Sequence, residues 1–207
     1  MKMKTLPKFY NDLDEIEKEI YNLLIQGVKK RKSKFHNAVL GSVSFDNKPE
    51  IRTVVLRDFS QKNLSIKIHS DSRSNKIKDL LKNKNISLLF YDEKKKIQIR
   101  VRGFANILKS YEPSWLKLSD WSKRCYLTPK PPGEESNSPT SGFPEKFSDN
   151  APKNEESKNA LKNFSVIEIE LNQIEWLYLA SQGHRRAIFS VIRHGDNTYL
   201  EKKWLVP

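Results

Sequence analysis

Leu64-Ser65-Ile66-Lys67-Ile68, continuing into His69-Ser70-Asp71-Ser72-Arg73-Ser74-Asn75-Lys76-Ile77, changes character halfway, and that change decides the fold. Leu64, Ile66 and Ile68 alternate with Ser65 and Lys67, the period of a half-buried strand. Ser70-Asp71-Ser72 then interrupts the strand and offers side chains that cap a helix N-terminus. Ile77, Leu80 and Leu81 carry a short helix from about Arg73 to Lys82. Ser70, Ser72, Arg73, Ser74 and Lys76 thus gather where a helix start offers unpaired N–H groups and positive potential. Hydroxyls, a guanidinium fork and an ammonium together suit a phosphate monoester. An ordinary N-cap followed by a solvated basic helix fits the same residues, so the cluster alone leaves both readings open.

Upstream, Asn11 and Asp12 form an N-cap region, and Leu13, Ile16, Ile20, Leu23, Leu24 and Val28 recur at helical spacing, giving a helix from about Asp12 to Lys30. His36 to Phe45 is β-prone, Asp46-Asn47-Lys48-Pro49 is a turn, and Glu50 to Arg57 is a strand around Val54-Val55-Leu56. Asp58 to Asn63 reads as a polar turn. Downstream, strand character returns at Ile86 to Tyr91. After the charged turn Asp92 to Lys96, Ile97, Ile99 and Val101 alternate with Gln98, Arg100 and Arg102, and Gly103 permits a bend or bulge. Tyr111 to Tyr126 reads as one helix with Trp115, Leu118 and Trp121 on one side. Residues 128–157 are rich in Pro, Gly, Ser, Asn and Glu and read as a long loop, mobile or pinned to a partner. Further strands are expected at Phe164–Leu171, Trp176–Ala180, Ala187–Arg193 and Tyr199–Val206. Short strands joined mostly by turns point to a mainly β, antiparallel barrel with attached helices, not a doubly wound parallel sheet.

The 207 residues fit a single domain, 1–207. No run is apolar for long enough to span a bilayer, and Met1 to Pro7 lacks the apolar centre of a secretory leader. One cysteine, Cys125, excludes an intramolecular disulfide and a cysteine-rich metal site, and makes a reducing cytoplasmic location the default. The net charge of +13 is spread along the chain. Its densest run, Lys29-Lys30-Arg31-Lys32, ends a helix, where the dipole favours cations. No nucleic-acid motif accompanies it, so the charge reads as a lysine-rich surface rather than a nucleic-acid interface.

Arg52 stands inside a strand beside an apolar run and needs an anionic partner, either a bound anion or a carboxylate such as Glu50. Gln98, Arg100 and Arg102 share one strand face, either a solvated stripe or a surface that reads the polar edge of a ring system. His184-Arg185-Arg186 after Gly183 is a basic turn or an anion clamp. His36, His69 and His194 lack metal-ligand spacing, and Cys125 lacks an activating neighbour.

In order, Arg52-Thr53-Val54-Val55-Leu56-Arg57, His69 to Lys76, Ile86 to Phe90, Gln98-Ile99-Arg100-Val101-Arg102-Gly103, Ile174-Glu175-Trp176-Leu177, Gly183 to Ala187 and Trp204-Leu205-Val206-Pro207 resemble the pyridoxamine 5'-phosphate oxidase family, nearest its cyanobacterial and plant-type FMN-binding branch. The resemblance implies a Greek-key-like split β-barrel, a homodimer with FMN in the cleft between subunits, and no membrane. It implies that Arg52, Ser70, Arg73 and Lys76, with Ser74, hold the FMN phosphate. Thr53, Val54 and Val55 lie beside the flavin ring, Gln98 approaches the ring edge from the partner subunit, and Trp176 or Leu177 with Arg185 or Arg186 closes the site. For the substrate, pyridoxamine or pyridoxine 5'-phosphate or a related small anion, it implies Arg57, Arg124, Tyr126, His184 and Arg185. Arg57 stands where the oxidases carry a lysine, and His184-Arg185-Arg186 departs from their Arg-x-His pattern. The implied activity is hydride transfer from substrate to flavin. A flavin carrier, sensor or reductase-like protein is the alternative.

Overall fold

A computed structural model describes residues 6–195 and 197–207. Met1–Thr5, most of the stretch read above as lacking a leader, lies outside the described residues. Helix α1 (Leu13–Lys29) begins where the Asp12 carboxylate accepts the N–H groups of Asp14 and Glu15, satisfying two donors that the first turn leaves free. Its buried stripe, Ile16, Ile20, Leu23 and Leu24, packs on the barrel. Gly27 closes the contact, because a side chain there would strike the backbone carbonyl of Phe35.

Nine strands follow: β1 (Asn37–Val43), β2 (Pro49–Val55), β3 (Asp58–Ser60), β4 (Ser65–Asp71), β5 (Asn85–Asp92), β6 (Ile97–Lys109), β7 (Phe164–Tyr178), β8 (Arg185–His194) and β9 (Asn197–Leu205). Every pairing is antiparallel, and the sheet runs β2-β1-β5-β6-β7-β4-β3, with β8 and β9 continuing from β7. This is the antiparallel barrel expected from the alternation patterns, in the split form that the resemblance implied. The long β7 organises it. One edge of β7 pairs with β6 along its length, while the other is shared, Phe164–Glu170 by β4 and Gln173–Tyr178 by β8. Beyond β2, the backbone N–H of Leu56 donates to His36 O (2.8 Å) and that of Arg57 to Lys67 O (2.9 Å), drawing the first strands against β4. The register between β6 and β7 shifts at Arg102/Gly103, the bulge expected at this glycine. Gly103 lies so close to Glu170 O that a side chain would collide with it.

Several local expectations change. Asp58–Ser60 is a strand, not a turn, because Phe59 is buried beneath Tyr21 of α1. Ser70 and Asp71 extend β4 and do not interrupt it. Helix α2 (Asn75–Lys82) starts two residues later than read, with Ser74 at its N-cap. The single helix at 111–126 is two short ones, α3 (Glu112–Trp115) and α4 (Asp120–Arg124), because Ser119 caps a new start by accepting Ser122 N–H. Trp121 is exposed and does not share the buried side with Trp115. The two strands expected between 164 and 180 are one strand, β7. Among the described residues no helix is long and apolar enough to cross a membrane.

Candidate functional site

The junction of β4 and α2 forms a compact donor cluster. Ser70 and Ser74 are both buried, and their hydroxyls lie 3.0 Å apart. Lys76 Nζ donates to Ser70 Oγ at 3.1 Å and to Ser74 Oγ at 3.5 Å. Lys76 forms no ion pair among the described residues; burial, then the nearby Arg52 guanidinium, push its pKa below the ordinary value, with Asp71 acting in the opposite direction. Arg52 reaches the cluster from β2. It donates to Ser42 Oγ and Glu50 (3.3 Å) and approaches the buried carboxylate of Asp79 at 4.0 Å. Two cations and two buried hydroxyls therefore face one another, with Glu50 bonded to Arg52 and no carboxylate within ion-pair distance of Lys76 among the described residues. A half-buried ammonium without a counter-ion is costly, and a phosphate is the group that this donor set matches.

Arg73 is placed differently from its partners in the sequence cluster. Its guanidinium grips the buried Asp71 through Nη2 (2.7 Å) and Nε (3.0 Å), and also donates to Thr128 Oγ1 (3.0 Å) and Pro129 O (3.1 Å). Asp71 also accepts the Arg73 backbone N–H at 2.8 Å. The charge of Arg73 is thus matched within the chain, and the residue ties the start of the 128–157 segment to the donor cluster.

Val54 lies in the core and Val55 beside it, on a strand whose second edge has no ladder partner among the described residues, while Thr53 is exposed. Gln98, Leu177 and Arg186 form one cross-strand row on the outer face, and Arg100 and Glu175 stand in the next. Trp176 is fully buried against Phe9, ring centroids 5.2 Å apart. Of the two alternatives Trp176 and Leu177, strand alternation turns the Trp176 side chain into the core and Leu177 outward.

Of the residues assigned to substrate, Arg57 and Tyr126 come together beside His69. Burial, then Arg57, push the His69 imidazole down to about 4. Burial raises the Tyr126 hydroxyl above its usual value. Both rings pack edge-on against Phe164, at 5.0 and 5.1 Å. Arg124 does not join them. Its guanidinium lies between the rings of Trp121 (4.5 Å) and Phe143 (4.4 Å) and donates to Phe147 O (2.9 Å) and Ser148 O (2.8 Å). Its donors anchor the 128–157 segment, where Phe147 is buried. That segment is pinned to α4. Arg185 stacks on Tyr10 (3.9 Å) and donates to Asn11 Oδ1 (2.8 Å), and His184 is exposed beside it.

These groups lie at two ends of one strand. Ser70 pairs with Ser165 and His69 with Val166, whereas Gln98 and Arg186 pair with Leu177 and Arg185 with Tyr178. About twelve residues of β7 separate them, roughly 40 Å of extended strand. Sequence reasoning missed Glu175, a buried carboxylate bonded to both Arg100 and Arg186. Its signal was an acid alternating with Leu177 opposite the Arg100 stripe.

Residues 18–109 match the family model described as pyridoxamine 5'-phosphate oxidase, FMN-binding domain. That span holds Arg52, Ser70, Ser74, Lys76 and Gln98 but not Tyr126 or Arg186. Pyridoxine/pyridoxamine 5'-phosphate oxidase 2 of Arabidopsis thaliana is 25% identical over 175 residues, 80% of this chain and 82% of the relative. A pyridoxamine 5'-phosphate oxidase-related FMN-binding protein from Nostoc punctiforme superposes with a TM-score of 0.72 at 19% identity, covering 98% of this chain and 99% of that one. PhzG from Burkholderia lata, solved in complex with tetrahydrophenazine-1-carboxylic acid, gives 0.69 at 16% identity over the whole of both chains.

Proposed function

We propose, for a chain whose residues 18–109 match the family model of the pyridoxamine 5'-phosphate oxidase FMN-binding domain, that it binds FMN and oxidises pyridoxamine or pyridoxine 5'-phosphate or a related small anion. The observation that carries the reading is Lys76, a half-buried ammonium held by two serine hydroxyls beside Arg52, with no direct ion pair among the described residues. FMN fits this cluster by the chemistry of its phosphate. Lys76, Ser70, Ser74 and Arg52 would hold that group. Arg73, already matched by Asp71, would brace the 128–157 segment next to it.

FMN, when bound, supplies the hydride acceptor. The work left to the protein is binding, orientation and exclusion of water. The unpaired edge of β2 at Thr53–Val55 offers backbone beside the ring, and Gln98 and Arg186 offer polar contacts to its edge. Because the phosphate cluster and Gln98 with Arg186 sit at opposite ends of β7, we assign the ring contacts to a second copy of the chain, which makes the working unit a homodimer. Arg57 and Tyr126 near the phosphate end, with His184 and Arg185 from the other copy, would receive the anionic substrate. The His69 imidazole, neutral at pH 7, adds no charge there. A reducing, cytoplasmic setting agrees with the single Cys125.

An absorbance spectrum of the purified protein, before and after addition of FMN, tests the cofactor. Flavin bands at one per subunit are expected, followed by pyridoxal 5'-phosphate and peroxide on addition of pyridoxamine 5'-phosphate. Absence of binding when FMN is supplied would end the reading, and binding without turnover of any amine or alcohol tried would convert it to a flavin carrier.

A further inference from the structure

Glu175 lies on the outer face of β7, and its side chain is only 7% exposed because two arginines cover it. Arg100 Nη2 donates to Oε2 at 2.8 Å, and Arg186 donates to Oε1 through Nε (3.1 Å) and Nη2 (2.9 Å). One guanidinium would neutralise the carboxylate. The second leaves the trio with one net positive charge, an arrangement that folding alone does not require and that opposes itself by like-charge repulsion. Neither arginine spends all its donors on Glu175, and their side chains remain 42% and 32% exposed. Gln98 stands in the adjoining row, paired through Leu177 with Arg186. The result is a fixed set of outward-facing donors built around a carboxylate.

We propose that Glu175 is a positioning residue that holds Arg100 and Arg186 as a rigid cation pair aimed, with Gln98, at the ring end of a flavin. The assignment rests on the FMN reading above. The phosphate end already has its own donors in Lys76, Ser70 and Ser74, at the other end of β7. What the Glu175 trio can serve is the polar, electron-accepting edge of the ring, where nearby positive charge tunes the cofactor. Glu175 touches neither ring nor substrate in this assignment; it acts by fixing two guanidinium groups, Arg100 through one hydrogen bond to Oε2 and Arg186 through two donors to Oε1, which are released when the carboxylate goes.

The test is to measure dissociation constants for FMN and riboflavin, and the midpoint potential of bound FMN, in the full-length protein and in Glu175→Gln, with circular dichroism to verify folding. Loss of the held cations should weaken FMN and riboflavin by the same factor, about tenfold, equivalent to roughly 1.4 kcal/mol. The potential supplies the sign. Removal of a negative charge by itself would raise it, whereas loss of two positioned cations lowers it, so a fall is expected. Wild-type affinity for both flavins, or a raised potential with unchanged affinity, overturns the assignment. Should Glu175→Gln not fold, Arg100→Met and Arg186→Met take its place; equal weakening of the two flavins supports the proposal, and wild-type affinity in both variants overturns it. A wild-type protein that binds neither flavin removes the FMN reading itself, whereas normal wild-type binding with indifferent variants removes only the role of Glu175.

Discussion

Replacing Lys76 by methionine isolates the phosphate interaction, since the side chain keeps an unbranched apolar stem and loses the terminal ammonium with its charge and donors. Its Nζ lies 3.1 Å from Ser70 Oγ and 3.5 Å from Ser74 Oγ, and has no carboxylate to satisfy it among the described residues. A charge-assisted hydrogen bond to phosphate contributes about 1.5–3 kcal/mol, so Lys76→Met should weaken FMN roughly ten- to 150-fold. Riboflavin, identical but for the phosphate, should change less than about twofold by the same reasoning. Quenching of flavin fluorescence on titration measures both constants. Arg73→Ala should have a smaller effect on FMN, because Asp71 already matches its charge. The protein without ligand should be no less stable as Lys76→Met. Folding lowers the pKa of Lys76, so its charged form is disfavoured in the native state; that penalty is full at neutral pH and is relieved as pH rises toward the free value of 10.5. Equal losses for FMN and riboflavin, or no loss for either, would refute the phosphate assignment.

Two further outcomes follow from side chains outside that cluster. The His69 pKa falls from 6.5 to about 4 on folding, so in this interval the unfolded chain binds the extra proton and stability is lost as pH falls through it. The loss is at most about 3 kcal/mol, and thermal melts of His69→Gln from pH 7 to 4 should lack this acid limb; an identical limb in the variant would rule His69 out as its source. Arg124→Ala removes two ring contacts and two carbonyl hydrogen bonds, costing about 1–3 kcal/mol and opening 128–157 to limited proteolysis. An unchanged digestion pattern would show that the segment is held by other means.

The barrel was legible in the sequence wherever alternation was strict. Leu64-Ser65-Ile66-Lys67-Ile68 and Ile97 to Val101 are strands of the expected period, and Gly103 is the expected bulge. Local patterning misled where tertiary contacts decided. Phe59 turned a polar stretch into a strand by burying under α1, and Ser119 divided a helix that hydrophobic spacing made continuous. Within the site, Ser70, Ser74, Lys76 and Arg52 are brought together. Arg73 and Arg124 were read as ligand donors because residue type alone does not reveal an internal partner; Asp71 lies two residues from the first, and Phe143 lies nineteen from the second. Between Trp176 and Leu177, the two candidates for closing the site, strand alternation alone selects Leu177 as the outward side chain.

The shared edge of β7 also governs how the chain reaches its native state. Beyond the short β3 on one side, Ser65–Asp71 is completed on its other edge by Phe164–Glu170, about a hundred residues later, and β8 needs the remainder of that same strand. During synthesis, β4 and β6 emerge with edges that stay open until β7 leaves the ribosome, and such edges are templates for unwanted pairing. Closing so long a loop is slow, so maturation waits on a single late strand, and the interval before its arrival is when nascent copies are most exposed to aggregation and to capture by chaperones.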